Sequence, residues 1–442
     1  MRDIAFSLAF LIFWIPCFVR PYLGPLLWAW VSMMYPHRLA FGFAHNLPVA
    51  FVAGVTTLVM FLFTKDKYPF PRNAPAILMV VFFAWSCITS LASFNDPEMV
   101  FGVWLKVAKI QIMLFVTMML LSGRRQITWL VWIIALSVGF YGFKGGIFTL
   151  VTGGRGNVMG PPGSFIEPNN ELGVALVMVV PLIYFLYGIS RNRWLRLGLL
   201  GVAMLTLVAI LGTYSRAAVL AVAVMAFFLG MKSNRRVLVM ILTVAVLAGM
   251  AAMLPERWAE RMESISTHQD ESAQNRLQIW KMIGRIAADH PLTGGGYRIT
   301  ENPRTWEQYA IGDWKIALAP HSIYFQALSE HGYVGLFLFL ALGIATWRLA
   351  SQVARRTRDG PDADWAPLLM GMIQVSLIGF AVSGAFNALA NYDLPYYLAA
   401  IVAMVARDLG VRPAPAGMPG FAHGNPGAPP RQPAGGLSTR GP

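Results

Sequence analysis

The feature that most constrains this chain is a series of long apolar runs separated by short polar segments. A helix needs about 20 apolar residues to cross a bilayer, and lipid leaves no water to satisfy an irregular backbone. Hydrophobic residues make up 56% of the chain and charged residues only 13%, which excludes an ordinary soluble domain. The sequence therefore predicts an all-α polytopic membrane protein of about twelve spans, or about thirteen if the first run crosses twice. The runs lie at 4–35, 47–64, 74–94, 103–122, 127–144, 171–189, 197–214, 217–231, 237–254, 333–350, 366–388 and 394–407.

Other classes of protein are excluded by charge placement and by missing motifs. The net charge of +14 does not indicate nucleic-acid binding, because the basic residues lie in short clusters between the apolar runs. Cys17 and Cys87 both fall inside apolar runs, so they predict neither a disulfide framework nor a zinc site. No G-x-x-x-x-G-K-[ST] motif is present, which excludes the usual ATP-driven pump. The first run lacks a cleavage pattern and is interpreted as an uncleaved span.

Lysine and arginine concentrate in alternate loops, and the positive-inside rule assigns those loops to the cytoplasm. The segments 95–102, 145–170, 213–216, 255–320 and 388–393 are then expected to face outward. We expect both termini to lie in the cytoplasm. The basic loops are marked by Lys65, Lys67, Arg72, Arg124, Arg125, Arg191, Arg193, Arg196, Lys232, Arg235, Arg236, Arg348, Arg355, Arg356 and Arg358.

Composition divides the chain into four parts. A transmembrane bundle over 1–254 precedes a helical outward insert over 255–332, and C-terminal transmembrane helices over 333–411 precede a Pro- and Gly-rich tail over 412–442. The tail is expected to be a disordered cytoplasmic extension. Within the insert, 272–289 has the period of an amphipathic helix, which we expect to lie on the membrane surface. Its expected apolar face carries Leu277, Trp280, Ile283 and Ala287.

Several cations lie at the outward ends of spans or in outward loops, where few carboxylates are available to pair with them. A cation at membrane depth costs at least about 2.5 kcal/mol on insertion scales. These long side chains could simply snorkel to the headgroups, or they could together bind an external anion such as a lipid phosphate. Arg216 is the strongest candidate, because Thr213-Tyr214-Ser215 before it could cap a helix and guanidinium suits phosphate. The other candidates are Lys106, Lys109, Lys144 and Arg155.

His321 is the second candidate for chemistry. It follows Pro320 at the start of an outward amphipathic helix that Gly332 is expected to end. A neutral imidazole there could accept a proton from a hydroxyl near pH 7, although a lone histidine is more often structural.

Polar residues at the starts of two spans are expected to cap them. Asn169 and Asn170 precede one span, and Asn391-Tyr392-Asp393 precedes the last. The outward loops contain no cluster of His, Cys and Asp at ligand spacing, so the sequence predicts no metal site.

Several motifs, taken in their order along the chain, resemble the core of the bacterial O-antigen ligase and polymerase superfamily. The similarity spans most of the chain, and its most specific part is 275–335. The core motifs are Asn275-Arg276-Leu277-Gln278-Ile279-Trp280, His290-Pro291-Leu292-Thr293-Gly294-Gly295-Gly296-Tyr297, His321-Ser322 with Tyr324, and Glu330-His331-Gly332-Tyr333-Val334-Gly335. The N-terminal region is similar to that of ligases found beside exosortase systems, through Arg20-Pro21-Tyr22, Leu27-Trp28-Ala29-Trp30 and Pro36-His37-Arg38.

The resemblance implies a GT-C-like glycosyltransferase of the bacterial inner membrane, with its active site facing the periplasm and no cofactor. It would transfer O-antigen glycan from undecaprenyl pyrophosphate to lipid A-core oligosaccharide. In that family an outward-loop histidine is regarded as the general base and arginines hold the pyrophosphate. His321 matches the first role, and Arg216 and Arg276 match the second. Asp393 lies where ligases often carry an acidic residue, whereas the lysines and Arg155 are added from position and charge alone.

Alternatives remain open at this level. A protein O-glycosylation ligase or an O-antigen polymerase would use the same donor with another acceptor. A lipid-linked oligosaccharide transporter would also be polytopic, but transporters concentrate polar groups near the midplane and are often built from repeated halves. Here the charges gather toward the outward face, which favours transfer over transport.

Overall fold

A computed structural model describes residues 2–232, 271–310 and 318–411 of the protein, and within these ranges the chain forms helices and no strand. The apolar run 237–254, part of the insert and the tail 412–442 lie outside the described residues. The α-helices, numbered α1 to α14 along the described chain, are Arg2–Trp14, Leu23–Met34, Val49–Phe63, Ala74–Leu91, Pro97–Leu120, Gly123–Val151, Asn169–Ile189, Arg193–Gly212, Arg216–Lys232, Glu271–Asp289, Pro303–Tyr309, Ile323–Arg356, Ala366–Gly384 and Asp393–Asp408.

Seven of the described helices are long and apolar enough to cross a membrane, namely α4, α5, α6, α7, α8, α12 and α13. Three shorter apolar helices accompany them: α2, α3 and the Arg216–Gly230 part of α9. A helix satisfies its own backbone hydrogen bonds, which explains why apolar runs in this chain take this form. The expectation of a polytopic helical membrane protein is confirmed, while the count of twelve spans stays a prediction.

The loops with most of the predicted cytoplasmic charge meet at one end of the bundle, which we call the basic end. There Arg407 donates to the carbonyl oxygen of Leu121 at 2.7 Å and to that of Pro69 at 3.3 Å. At the same end, Arg124 pairs with Asp364 at 2.7 Å. The opposite end, which we call the site end, carries the loops 35–48, 92–96, 152–168, 213–215 and 385–392.

The first apolar run forms two antiparallel helices and not one crossing. The Asp3 carboxylate accepts hydrogen bonds from the backbone N–H groups of Gly42 and Ala44 at 2.9 and 3.0 Å, so α1 begins beside the loop that follows α2. Asp408, near the end of the described chain, instead accepts from the Gly123 N–H at the basic end. The start of α1 and the end of α14 therefore lie at opposite ends of the bundle, because the turn between α1 and α2 carries the start of α1 to the site end. The cytoplasmic placement of both termini stays a prediction.

Two helices form the centre of the bundle and are shielded from lipid on nearly every side. From Asp393 to Ala406, every residue of α14 is buried, and α7 is buried over most of its length. A helix that is apolar all round belongs inside a protein or a membrane. Neighbouring helices approach closely through glycine: a Cβ at Gly146 of α6 would lie 2.2 Å from the carbonyl oxygen of Leu205 in α8.

The helix α10 is amphipathic, as predicted, and its buried face includes Ile283 and Ala287 of the predicted face but not Leu277. Leu277 is 54% exposed, whereas Ile279, Met282, Ile283 and Ile286 are fully buried. Their partners are Ile299, Trp306, Tyr309 and Leu328, from the following segments and α12. The apolar face of α10 therefore packs on protein and not on the membrane surface, because α11 and the start of α12 cover it.

Candidate functional site

A sharp kink at Gly332 separates the first two turns of α12 from its long membrane-spanning part. Gly332 has φ +69° and ψ −171°, and a Cβ there would lie 2.2 Å from the Leu292 carbonyl oxygen. That space is filled by the loop 290–297, whose Gly295 and Gly296 N–H groups donate to the carbonyls of 329 and 330 at 2.8 and 3.1 Å. This loop, with one proline and three glycines, therefore clamps the kink and orients the helical segment 323–331.

Two adjacent ionisable residues are buried at this kink. Glu330 accepts hydrogen bonds from Asn391 Nδ2 at 3.0 Å and from Gln326 Nε2 at 3.2 Å. His331 is 1% exposed, and its Nδ1 lies 2.7 Å from Thr89 Oγ1. Both side chains are enclosed, and their hydrogen bonds tie α4, α12 and the loop before α14 together.

His321 stands at the entrance to the oriented segment, immediately before the N-cap residue of α12. Its φ of +48° is unusual for a residue with a side chain. The backbone is held there by α10, because Trp280 Nε1 donates to the Pro320 carbonyl at 3.0 Å. Trp280 also stacks on Phe325 of α12, with ring centroids 4.8 Å apart. The backbone next to His321 is therefore fixed relative to α10 as well as to α12.

Arg276 lies one helical turn before Trp280 on α10, and residues four apart share a helix face. Burial, and next the positive charge of Arg276, lower the pKa of His321, while the charge of Glu301 opposes them. A lowered pKa keeps the imidazole neutral at pH 7, which is the form that accepts a proton. Glu171, in the first turn of α7, is also within electrostatic range of Arg276.

Arg216 is the first residue of α9, at the site end, and the turn before it is built as the sequence predicts. Ser215 Oγ accepts from the Ala218 N–H at 3.3 Å and so caps the helix. Asn169 does not cap α7 as expected; its Nδ2 donates to the Thr213 carbonyl at 2.7 Å, and Pro168 takes the N-cap position. The start of α7 is thereby fastened to the turn that presents Arg216.

Arg216, Arg276 and His321, which together we call the arginine–histidine site, lie at the same end of the bundle. The end of α13 connects their helices, since α13 packs along α9 and a Cβ at Gly384 would touch Ile323. Tyr324, which belongs to the same motif as His321, donates its hydroxyl to the Ala381 carbonyl of α13 at 2.9 Å. The arrangement is therefore a neutral imidazole beside an arginine, with a second arginine at a capped helix N-terminus.

The predicted lysines lie elsewhere at the site end. Lys106, Lys109 and Asp393 line a cavity of about 440 Å³, together with Arg38. Lys144 lines a neighbouring cavity of about 730 Å³, which Arg38 also borders. The six predicted cations are thus divided between separate places, instead of surrounding one pyrophosphate.

The remaining predicted residues lie outside the arginine–histidine site. Arg155 is exposed in the loop 152–168, and Asn170 is half-buried in the first turn of α7. Asp393 is buried as the first residue of α14 and does not cap it, because Tyr392 holds the N-cap position. Among the described residues, no three His, Cys, Asp or Glu side chains form a group that could hold a metal ion.

Sequence reasoning missed three residues that shape these places: Trp280, Glu330 and Arg38. Trp280 was predicted only as an apolar-face residue and, like Arg38 and Glu330, as part of a motif. A polar residue within an otherwise apolar helical pattern, such as Gln326 and Glu330 at spacing four, was the available indication of an internal hydrogen-bond network.

Comparison with known proteins separates the chain into two regions. Residues 201–340 match a family model described as O-antigen ligase, a range that includes the whole arginine–histidine site and the clamp at the kink. Residues 1–190 match a model described as a family of unknown function, DUF5935, and that range includes Arg38 and the predicted lysines. None of the curated proteins compared with the chain matches it.

Proposed function

Because the O-antigen ligase model confirms the resemblance to the superfamily of O-antigen ligases and polymerases, we propose that this membrane enzyme transfers O-antigen glycan from undecaprenyl pyrophosphate to lipid A-core oligosaccharide. The reaction takes place at the periplasmic face of the bacterial inner membrane. It is metal-independent and inverts the anomeric configuration of the donor sugar.

His321 acts as the general base in this reaction. It takes the proton from the acceptor hydroxyl while the acceptor oxygen bonds to the anomeric carbon of the donor sugar. The bond from that carbon to the pyrophosphate oxygen breaks, and undecaprenyl pyrophosphate leaves with the electron pair. One displacement on the face opposite the leaving group predicts inversion.

Arg216 and Arg276 stabilise the leaving pyrophosphate. Negative charge grows on this group as the bond breaks, so fixed cations stabilise the transition state more than the ground state. The turn capped by Ser215 places the positive end of the α9 dipole beside Arg216.

The observation that carries the proposal is the anchoring of the base and of one arginine by a single helix. Through Trp280, α10 holds the backbone at Pro320 at 3.0 Å, and the same helix bears Arg276. The charge of Arg276 supports a neutral His321 by disfavouring the imidazolium form. Acid–base chemistry needs this kind of fixed spacing.

The test is transfer in vitro by the purified full-length chain, in detergent with EDTA, from undecaprenyl-pyrophosphate glycan to lipid A-core. We expect transfer to persist in EDTA and His321→Ala to lower kcat by about 10²- to 10⁴-fold, the range of a lost general base. His45→Ala is the matched control, since this histidine also lies at the site end but belongs to the loop 35–48, where its Nδ1 lies 3.0 Å from the Ala40 carbonyl oxygen. Full activity of the His321→Ala variant would reject the mechanism.

The same assay separates the acceptors that share this donor. Lipid A-core, a second lipid-linked glycan and a Ser- or Thr-containing protein acceptor are each offered at equal concentration. Transfer to lipid A-core alone supports the ligase. Polymer growth, or transfer to protein, would keep the chemistry of His321 but replace the acceptor.

A further inference from the structure

The cavity that contains Lys106 and Lys109 is amphipathic. Trp28, Val31 and Met33 of α2 form an apolar wall, and the loop Gly163–Ile166 covers another side. The two lysines are exposed and lie three residues apart on α5. We call this cavity the lysine pocket. Its lining also includes Arg38, His37, Tyr392 and the carboxyl group of Asp393. Cations beside an apolar wall at the end of a membrane bundle match the two parts of a lipid, its headgroup and its chain.

Positive charge exceeds negative charge around this pocket. Three cations, Arg38, Lys106 and Lys109, line it against one carboxylate, Asp393. The neighbouring cavity adds Arg2 and Lys144, and no carboxylate lines it. Snorkelling alone would explain a lysine that reaches the headgroups, but it does not explain why cations from two segments, the loop 35–48 and α5, line the same cavity.

Two buried polar atoms in the lining have no hydrogen-bond partner among the described residues: His37 Nδ1 and Tyr392 Oη. Both side chains are at least nine-tenths buried, with 9% and 3% exposed. Burial, followed by the charges of Arg38 and His45, lowers the pKa of His37 to about 4, so its ring is neutral at pH 7. Buried polar atoms in native structures are nearly always paired, and a phenol hydroxyl or a protonated Nδ1 can donate to a phosphate oxygen.

The lysine pocket is built from different elements than the arginine–histidine site. Its walls come from α2, α3, α5 and the start of α14, whereas Arg216, Arg276 and His321 belong to α9, α10 and the entrance of α12. The loop 152–168 lies between them, because the Val158 N–H donates to the Gly212 carbonyl at 2.8 Å while Gly163–Ile166 cover the pocket.

We propose that the lysine pocket binds a phosphate group carried by a second lipid, apart from the donor diphosphate. The cations supply the charge, Tyr392 and His37 supply neutral hydrogen bonds, and the wall of α2 receives hydrocarbon. The phosphate comes either from the acceptor lipid or from a bulk phospholipid. Only the first of these sources rests on the function proposed above; the pocket and its chemistry do not.

The experiment measures lipid binding and needs no transfer. Full-length protein in a neutral detergent is titrated with lipid A-core, with phosphatase-treated lipid A-core and with phosphatidylglycerol, and bound lipid is counted by native mass spectrometry. The variant is Arg38→Gln/Lys106→Gln/Lys109→Gln. The matched control is Lys65→Gln/Lys67→Gln/Arg72→Gln, which removes three cations at the basic end.

We expect the pocket variant to bind the phosphorylated lipid about 100-fold more weakly, from three lost cation contacts. The control triple variant should bind it like the unaltered chain. Tyr392→Phe removes one hydroxyl at nearly constant shape, so it tests the same pocket with less risk to folding, and we expect a loss of about fivefold.

The three lipids distinguish the sources of the phosphate. If lipid A-core binds more tightly than phosphatidylglycerol, and phosphatase treatment removes this difference in affinity, the acceptor phosphate is the ligand. If phosphatidylglycerol binds equally well and loses affinity in the same variant, a bulk lipid phosphate is the ligand. If the pocket variant binds every lipid as the control does, the proposal is overturned, whatever the transfer assay with His321→Ala gives.

Discussion

The arginine–histidine site and the lysine pocket lie at the same end of one bundle, yet their charges are held in different ways. Around His321, α10 fixes the backbone through Trp280, a capped turn presents Arg216, and the clamped kink orients the following helix. Around the lysine pocket, Lys106 and Lys109 are exposed at the rim of an open cavity. Bond-making requires fixed geometry, whereas attraction of a headgroup requires mainly charge. The two regions also match different family models.

The largest expected difference between the two regions is tested by removing one cation from each. We expect Arg216→Gln to lower kcat/KM for the donor by about 10²- to 10³-fold, the cost of losing one preorganised charge-stabilising group. Lys106→Gln should lower it by less than about fivefold, because an exposed cation contributes little. Steady-state kinetics with varied donor concentration gives both numbers. Equal losses in the two variants would mean that the regions share one pyrophosphate site.

Substitution of the kink glycine tests whether the held geometry is necessary. Gly332→Ala places a Cβ at 2.2 Å from a carbonyl oxygen and at φ +69°, which we expect to cost about 3 kcal/mol of stability. Thermal unfolding in detergent measures the effect, and Gly343→Ala, in open space on the same helix, is the control. Lipid binding in the lysine pocket should survive at temperatures where Gly332→Ala is still folded, while transfer should not.

A smaller change separates packing from positioning at His321. Trp280→Phe keeps an aromatic ring against Phe325 but removes the hydrogen bond to Pro320, worth about 1 kcal/mol. We expect kcat to fall by about fivefold while KM for the donor stays nearly constant. Trp194→Phe, on an exposed indole at the basic end, is the control. A rise in KM with unchanged kcat would show that Trp280 acts on binding and not on the base.

The smallest expected effect comes from the two charges that shift the pKa of His321 in opposite directions. Arg276 lowers the pKa of the imidazole and Glu301 raises it. Activity is lost on the acid side as the base becomes protonated, so Arg276→Gln should move that limb of the kcat/KM profile to higher pH. Glu301→Gln should move it to lower pH. Movement in the same direction for both variants, or none, would exclude His321 as the titrating base.

Much of the fold could be predicted from residue pattern, and the reasons are local. The long apolar runs became helices, and the capped turn before Arg216 formed as its hydroxyl residues indicate. The predicted buried face of α10 was wrong at Leu277, because this residue satisfies the helical period equally well and only the position of α11 and α12 selects the buried residues. Asn169 was assigned to the nearest helix end, but it pairs with Thr213, 44 residues away.

The candidate site was also predictable only in part. His321, Arg216 and Arg276 were identified as separate residues of suitable chemistry, and residue type alone could not group them. The sequence determined that the chain is a helical membrane protein, which residues carry charge near the helix ends and where the helices break, because these depend on transfer free energy and local backbone preference. Only the tertiary structure decided that the lysines lie apart from the arginines, that the glycine motif clamps a kink, and that the start of the chain returns to the site end. Those outcomes depend on contacts between residues far apart along the chain, and such contacts are chosen by packing in three dimensions.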